Sequence, residues 1–453
     1  MDKTPNIGQA QIQISVVIPV YNAISTLDRC LKGVISSDCE NYELIVVDDG
    51  STDGSREVAK SYTDLVLEST TKQLGPAQAR NRGAEMAKGE ILFFIDADVV
   101  IKPDSLSTVE HTFNDHPEYD AVFGSYDENP GSGDFLSQYK NLFHHFVHQQ
   151  SSEEGDTFWS GCGAIRRDVF LDMGGFDVER YPRPSIEDIE LGYRLRADGR
   201  KIFVNKDLQV KHLKRWTFTG LLRTDIVDRA IPWTLLILRE RNLPNDLNLK
   251  TSQRLSSLLV VFLILYLSFI AIFNQMWLMP LLLLLVVILL VSWQGNKGSK
   301  LLEMDWRIES LSYILILSII ALSYIQDIPL MIIPMVILGL IILIARMIPH
   351  ENGAWRLIIG TLITLSFVIG FGILFNNYSI LYIAPVFIII LLILSLNFKF
   401  YEFFVKKRGV SFALAAMPFH FLYYLYSLIA FVIGGGIHFW NNTMKFRPAI
   451  GFK

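Results

Sequence analysis

The stretch WLMPLLLLLVVILLVSW, residues 277–293, carries no charged side chain, and runs like it recur through the second half of the chain. About twenty apolar residues in a row are what a helix needs to cross a bilayer core. Spans are expected near 254–273, 277–293, 309–325, 328–346, 356–375, 378–396 and 412–435, an all-α transmembrane domain of about seven helices over 251–453. Up to about residue 215 the pattern is different: short apolar runs alternate with amphipathic stretches. The two halves are therefore expected to fold in different solvents.

Composition agrees. At 453 residues and 51% hydrophobic content the chain exceeds one ordinary soluble domain. A formal charge of -4 offers no broad positive field of the kind nucleic-acid binding needs, so no nucleic-acid partner is expected. Cys30, Cys39 and Cys162 show no metal-ligand spacing and fit free thiols in a reducing compartment. Residues 1–12 form a polar tail without the apolar core of a secretory signal. The first half is thus expected in the cytoplasm, at the inner face of a multi-pass cytoplasmic membrane protein. On that orientation Lys297, Lys300 and Arg307, then Arg346 and Arg356, then Lys399, Lys406, Lys407 and Arg408 fall inside, as the positive-inside rule asks. A seventh full span would place Lys445, Arg447 and Lys453 outside; either the charge rule is overridden, or Gly434–Gly436 marks a broken or re-entrant segment.

Residues 13–215 read as a single α/β domain. ISVVIPV, YELIVVDD, LVLES, EILFFIDAD and DAVFGSYD have strand patterns, with helical patterns such as ISTLDRCLKGVIS and PAQARNRGAEMAKG between them. That order predicts a mostly parallel sheet with helices on both faces. Such sheets bind ligands beyond the carboxyl ends of their strands, where the polar tails PVYN, DDGSTD and DAD lie. The connection 216–250, with WTFTGLLRTDIVDRAIPWTLLILRERN, mixes Trp, Leu and Ile with Arg and Asp. It reads as an amphipathic helix at the membrane surface, touching membrane lipids, or as a surface helix packed on the first domain.

The acids Asp96 and Asp98 end the most hydrophobic of these strands. Two carboxylates there are either a polar stop or a site for a hard divalent ion, which takes few carboxylates and fills its shell with water and phosphates. In PSIEDIELGYRL, Ser185 and Asp188 fit a helix cap, and Glu190 with Arg194 an i,i+4 pair. His144, His145 and His148 in FHHFVH read as a helix face.

In order and spacing, SVVIPVYNAISTLDRCL, YELIVVDDGSTDGS, GPAQARNRGAEMAKGEILFFIDADVVIKPDSL, GGFD and IEDIELGYRLRADG resemble the family 2 glycosyltransferases, with their GT-A nucleotide-sugar-binding domain, across about residues 14–212. The resemblance implies a Rossmann-like GT-A fold and an inverting transfer from a nucleotide-sugar donor, UDP favoured, to a lipid or glycan acceptor. Pro19 and Tyr21 are implied at the nucleobase, Asp49 on the uracil imino hydrogen, and Arg80 at the diphosphate or the D-x-D acids. Asp98 is implied as ligand of Mg2+ or Mn2+, with Asp96 on the ribose or behind the metal, and His212 completing the shell. Asp188 is implied as catalytic base, with Glu187 orienting the site. Trp159, Arg215 and Trp216 are expected on the acceptor side. His212 to Trp216 also reads H-x-x-R-W, close to the Q-x-x-R-W of processive synthases but with His for Gln and a shorter gap from the Glu-Asp pair.

Overall fold

The computed structural model describes residues 13–69, 73–273 and 379–445. The N-terminal tail 1–12 and the expected spans 277–293, 309–325, 328–346 and 356–375 lie outside the described residues. The chain divides into two compact units: residues up to 250 together with those from 426, and residues 251–425.

The first unit opens with β1 (Ile14–Val20), α1 (Leu27–Ile35), β2 (Tyr42–Asp48), α2 (Ser55–Lys60), β3 (Val66–Glu68), α3 (Pro76–Met86), β4 (Ile91–Ile95) and the two-residue β5 (Val99–Val100). It continues with α4 (Ser105–Asp115), β6 (Ala121–Tyr126), α5 (Phe135–Gln149), β7 (Cys162–Arg166), α6 (Arg167–Asp172), α7 (Glu187–Ala197) and β8 (Ile202–His212). The strands form an eight-stranded sheet in the order β3-β2-β1-β4-β7-β6-β8-β5. Its apolar strands serve two cores. Val16, Ile18, Phe93 and Ile95 pack on one face, while Val17, Ile45, Leu92 and Phe94 pack on the other. Burial on both faces removes the usual apolar-polar alternation, which is why ISVVIPV and ILFFI read as continuous runs.

The parallel expectation holds for β3-β2-β1-β4 and for β6 beside β8. The sheet as a whole is mixed, because β7 runs antiparallel to both β4 and β6. Cys162 pairs with Ile95, so β7 enters at the carboxyl end of β4 and runs back down the sheet. The preceding turn, Phe158–Gly161, is thereby left over the strand ends. Gly192 in α7 lets this turn close on the helix: a Cβ there would lie 2.3 Å from the backbone nitrogen of Phe158.

After β8 come α8 (Phe218–Arg223), a π-helical segment (Thr224–Ala230) and α9 (Ile231–Glu240). Further on lie α10 (Thr251–Phe273), α11 (Ser379–Leu396), α12 (Phe398–Arg408) and α13 (Val410–Lys445). Among the described residues Thr251–Phe269 and Val410–Asn441 are long and apolar enough to cross a membrane, and Ile388–Leu396 with Phe398–Arg408 adds a third if that pair, bent by 69°, is one span.

The basic stretch after residue 396 is not irregular: it forms helix α12, because FKFYEFFVKKR buries Phe400, Tyr401 and Phe404 and ends in Lys406, Lys407 and Arg408, whose charges suit a helix C-terminus. Nor do Gly434–Gly436 break α13, which runs through them. Gly434 instead permits close approach to α9, since a Cβ there would lie 2.8 Å from Cβ of Thr234. Within the second unit, Asn397 occupies the bend: its amide donates to Ser256 Oγ (2.9 Å) and the Ile393 carbonyl, and its Oδ1 accepts from Tyr424 OH (2.6 Å). Satisfying the amide within the helices matters in an apolar surround, where an unpaired one is costly.

Candidate active site

A cleft of about 910 Å³ opens at the carboxyl ends of β1, β2 and β4. Pro19 and Tyr21 line it where β1 ends, and the Tyr21 ring is 46% exposed, so a flat face is available for stacking. Asp49 is buried at the end of β2. Its two carboxylate oxygens accept from the backbone nitrogens of Leu74 and Gly75, each at 2.8 Å. Asp49 thus holds the loop entering α3, and each oxygen keeps a lone pair for a further donor.

Arg80 joins the two acidic motifs. It is buried, with Nη2 2.6 Å from Asp96 Oδ1 and Nη1 3.1 Å from Glu187 Oε1, and its guanidinium lies over the Phe176 ring. Helix α3 aims Arg80 under the end of β4 on one side and the start of α7 on the other, so one side chain ties the D-x-D to the Glu-Asp pair. Glu187 also accepts from the Ser185 backbone nitrogen at 3.0 Å. Burial lifts the Glu187 carboxyl above its usual range, against the pull of Arg80, and the neighbouring Asp188 pushes the same way. A buried arginine committed to two carboxylates is less available to a diphosphate than a helix-face arginine would be.

Asp188 is half-buried and lines the cleft. Its Oδ2 accepts from the Ser160 backbone nitrogen (3.0 Å) and hydroxyl (3.2 Å), and its Oδ1 from the Ile189 nitrogen (2.8 Å). These donors fix the carboxylate on the turn that Gly192 lets close.

Asp98 meets His212 through tertiary pairing. Strand β5 lies antiparallel to the end of β8 with Val99 opposite His212, and the Leu213 nitrogen donates to the Asp98 carbonyl at 2.8 Å. Asp98 Oδ2 then stands 3.6 Å from His212 Nε2. Neighbouring ligands of an octahedral Mg2+ or Mn2+, each at about 2.1 Å, are separated by about 3 Å. The pair therefore fits a shared ion after a small closing movement. Asp96 is turned away to Arg80, and among the described residues no group of three or more His, Cys, Asp or Glu is disposed around one ion. Water and phosphate oxygens would have to supply the rest of such a shell.

Of the residues expected on the acceptor side, Trp159 and Arg215 line the cleft. Trp216 does not: it is buried, its backbone nitrogen donates to Ser137 Oγ (2.7 Å), and Lys214 covers its ring at 4.2 Å. Sequence reasoning missed an aromatic wall. Tyr126 stacks on His212 with ring centroids 4.1 Å apart, His144 lies 4.3 Å from Tyr126 and 3.9 Å from His148, and both histidines line the cleft. Burial, reinforced by Arg229, pushes the His144 imidazole well below its usual range and that of His148 to about 4, so both are neutral at pH 7. The signals for this wall were the i,i+4 spacing of the two histidines and the position of Tyr126 at a strand end.

The family model for glycosyl transferase family 2 matches residues 15–174. Those residues form a family 2 glycosyl transferase domain. Among curated relatives, glycosyltransferase GlyG of Streptococcus pneumoniae is 34% identical over 128 residues, covering 26% of this chain and 42% of its own. GlyA of the same organism is 32% identical over 218 residues, covering 45% and 31%. The chain thus spans less than half the length of either. A crystal structure of S. aureus TarS 1–349 in complex with UDP-GlcNAc aligns at a TM-score of 0.41 and 21% identity, covering 50% of this chain and 66% of that one. In the family 2 domain the D-x-D acids lie within the matched segment, while Glu187, Asp188 and His212 follow it.

Proposed function

We propose that the chain is a membrane-bound inverting glycosyltransferase. It would move a sugar from a nucleoside diphosphate sugar, UDP favoured, to a hydroxyl of a lipid-linked or glycan acceptor at the cytoplasmic membrane face. The observation that carries this reading is the single cleft in which Arg80 bridges the D-x-D to the Glu-Asp pair, inside and just beyond a family 2 domain.

The roles follow from position. Tyr21 offers the base its exposed face, and Asp49 keeps acceptor capacity for a uracil imino hydrogen. Asp98 and His212 would hold Mg2+ or Mn2+, which supplies positive charge to the departing diphosphate. Asp188, oriented by Ser160 and Ile189, takes the proton from the acceptor hydroxyl as it attacks the anomeric carbon opposite the leaving group. Glu187 and Asp96, held by Arg80, keep the acidic residues in register rather than reacting. An acceptor that is already an anionic phosphate would need no base, so the hydroxyl reading stands or falls with Asp188.

Purified full-length protein in native lipid, given a panel of nucleotide sugars with Mn2+ or Mg2+, should release nucleoside diphosphate from one donor well above the others. Absence of both release and nucleotide binding would favour a transporter or scaffold with an inactive nucleotide-sugar domain. A second measurement addresses the metal. Asp98→Asn is expected to weaken Mn2+-dependent UDP binding by about tenfold or more, and Asp96→Asn by less; a titration in which the Asp96 variant loses more reverses the assignment.

A further inference from the structure

The π-helical segment Thr224–Ala230 forms one wall of the cleft, contributing Thr224, Asp228 and Arg229. π-helical turns widen the backbone and recur at functional sites. Neither acid of the segment forms an ion pair with Arg229. Asp225 is 6% exposed; its carboxylate oxygens lie 2.6 and 2.7 Å from Lys140 Nζ, and Tyr426 donates its hydroxyl to Oδ2. Asp228 accepts Ser185 Oγ on its carbonyl at 2.8 Å, and its carboxylate faces Arg183 at 3.7 Å. Arg229 is exposed to the cleft, and among the described residues no carboxylate stands within 4 Å of it to form an ion pair. Lys214 and Arg215 line the same cleft; the Arg215 side chain is 81% exposed and pairs with Asp134 at 3.8 Å.

The cleft also carries Asp98, Glu187, Asp188 and Asp228, yet Arg229 forms no ion pair with any of them, and a cation held in a cleft without such a partner is available to an anionic ligand. The donor diphosphate belongs between Asp98 and the base end at Tyr21 and Asp49. The charge of Arg229 is felt by Lys140, His144 and His148 of α5, and both histidines line the cleft. The same segment is pinned by Tyr426 of α13, a helix apolar enough to span a membrane, and Val227 and Phe218 beside it are 40% and 42% exposed. A phosphate joined to a lipid chain lies at headgroup depth, where such an element would meet it.

We infer that the Thr224–Ala230 wall is an acceptor subsite for a phosphate carried on a lipid, with Arg229 as the residue that grips it. This rests on the glycosyl-transfer reading above and narrows its acceptor class to a lipid-linked glycan, whose linking phosphate would sit at Arg229 while its hydroxyl faces Asp188. The test uses full-length protein in nanodiscs of zwitterionic lipid, saturated with UDP and Mn2+ so that the donor site is filled. Farnesyl diphosphate, farnesol and inorganic pyrophosphate are titrated in turn, with empty nanodiscs subtracted. Farnesyl diphosphate should bind beside UDP, and farnesol and pyrophosphate far more weakly. Arg229→Gln should lower farnesyl diphosphate affinity by about tenfold or more while leaving UDP affinity within about twofold. Arg229→Lys, which keeps the charge but not the planar fork, should fall between. The inference is overturned if Arg229→Gln leaves farnesyl diphosphate binding unchanged, if UDP affinity falls in step, or if farnesol or pyrophosphate binds as well as farnesyl diphosphate. Failure of the wild-type protein to bind UDP at all would be a separate result, counting against the glycosyl-transfer reading itself.

Discussion

Asp188→Asn is expected to lower sugar transfer by about a thousandfold, within the usual worth of a positioned general base, while UDP affinity stays within about twofold. The substitution is nearly isosteric. An amide oxygen at Oδ1 can still accept from the Ile189 nitrogen, but an amide nitrogen at Oδ2 cannot accept from Ser160. It also cannot take a proton from the acceptor. Because Asp188 sits on the α7 side of the cleft, away from Tyr21 and Asp49, donor binding provides the internal control. Single-turnover transfer and UDP titration on the same preparation separate the two effects. Near-normal transfer by the variant would remove Asp188 as the base and favour an acceptor that is ionised beforehand.

The second large effect concerns folding. Arg80→Met should destabilise the first unit by about 3–5 kcal/mol, because removing one partner of a buried ion pair strands the other. Most of that cost falls on Glu187, whose side chain is 6% exposed, and less on Asp96, which at 35% keeps contact with water. In a unit of this size the loss corresponds to a drop in melting temperature on the order of 10 °C.

Its pH dependence has a definite sign. The Glu187 carboxyl already sits above its ordinary 4.5 in the folded protein. Without Arg80 it rises further, so the folded variant binds its proton more readily than the unfolded chain does. Stability from that protonation is fully present below the unfolded value and is lost as pH rises through the folded one. The deficit of the variant relative to wild type should therefore be larger at pH 8 than at pH 5. Melting curves with an equal deficit at both pH values would show that Glu187 does not carry the cost.

The acids of the cleft were legible because each stands at a local boundary. Asp49, Asp96 and Asp98 follow apolar strands, and Glu187 and Asp188 open a helix after a proline-containing turn. Periodicity and punctuation mark such positions within a window of a few residues. Arg80 was legible as a cation near the start of α3, but its partnership with Glu187 joins positions 107 residues apart. The histidines of α5 read as an unremarkable helix face, since nothing local reveals that Tyr126 and Trp159 pack beside them. Gly434–Gly436 left a broken segment open for a related reason: glycine weakens a helix in isolation, and only contact with α9 shows why one of them is useful there.

By itself the sequence determined the α/β pattern of the first half, the apolar character of the second, and the strand-end placement of the acids. These follow from hydrophobic periodicity and turn chemistry, which act between near neighbours. The tertiary structure alone decided that Arg80 bridges two motifs, that β5 brings Asp98 to His212, and that the π-helical segment carries Arg229 into the cleft. Those outcomes depend on contacts made when distant strands pair and helices close over them, and no local window of the chain contains both partners.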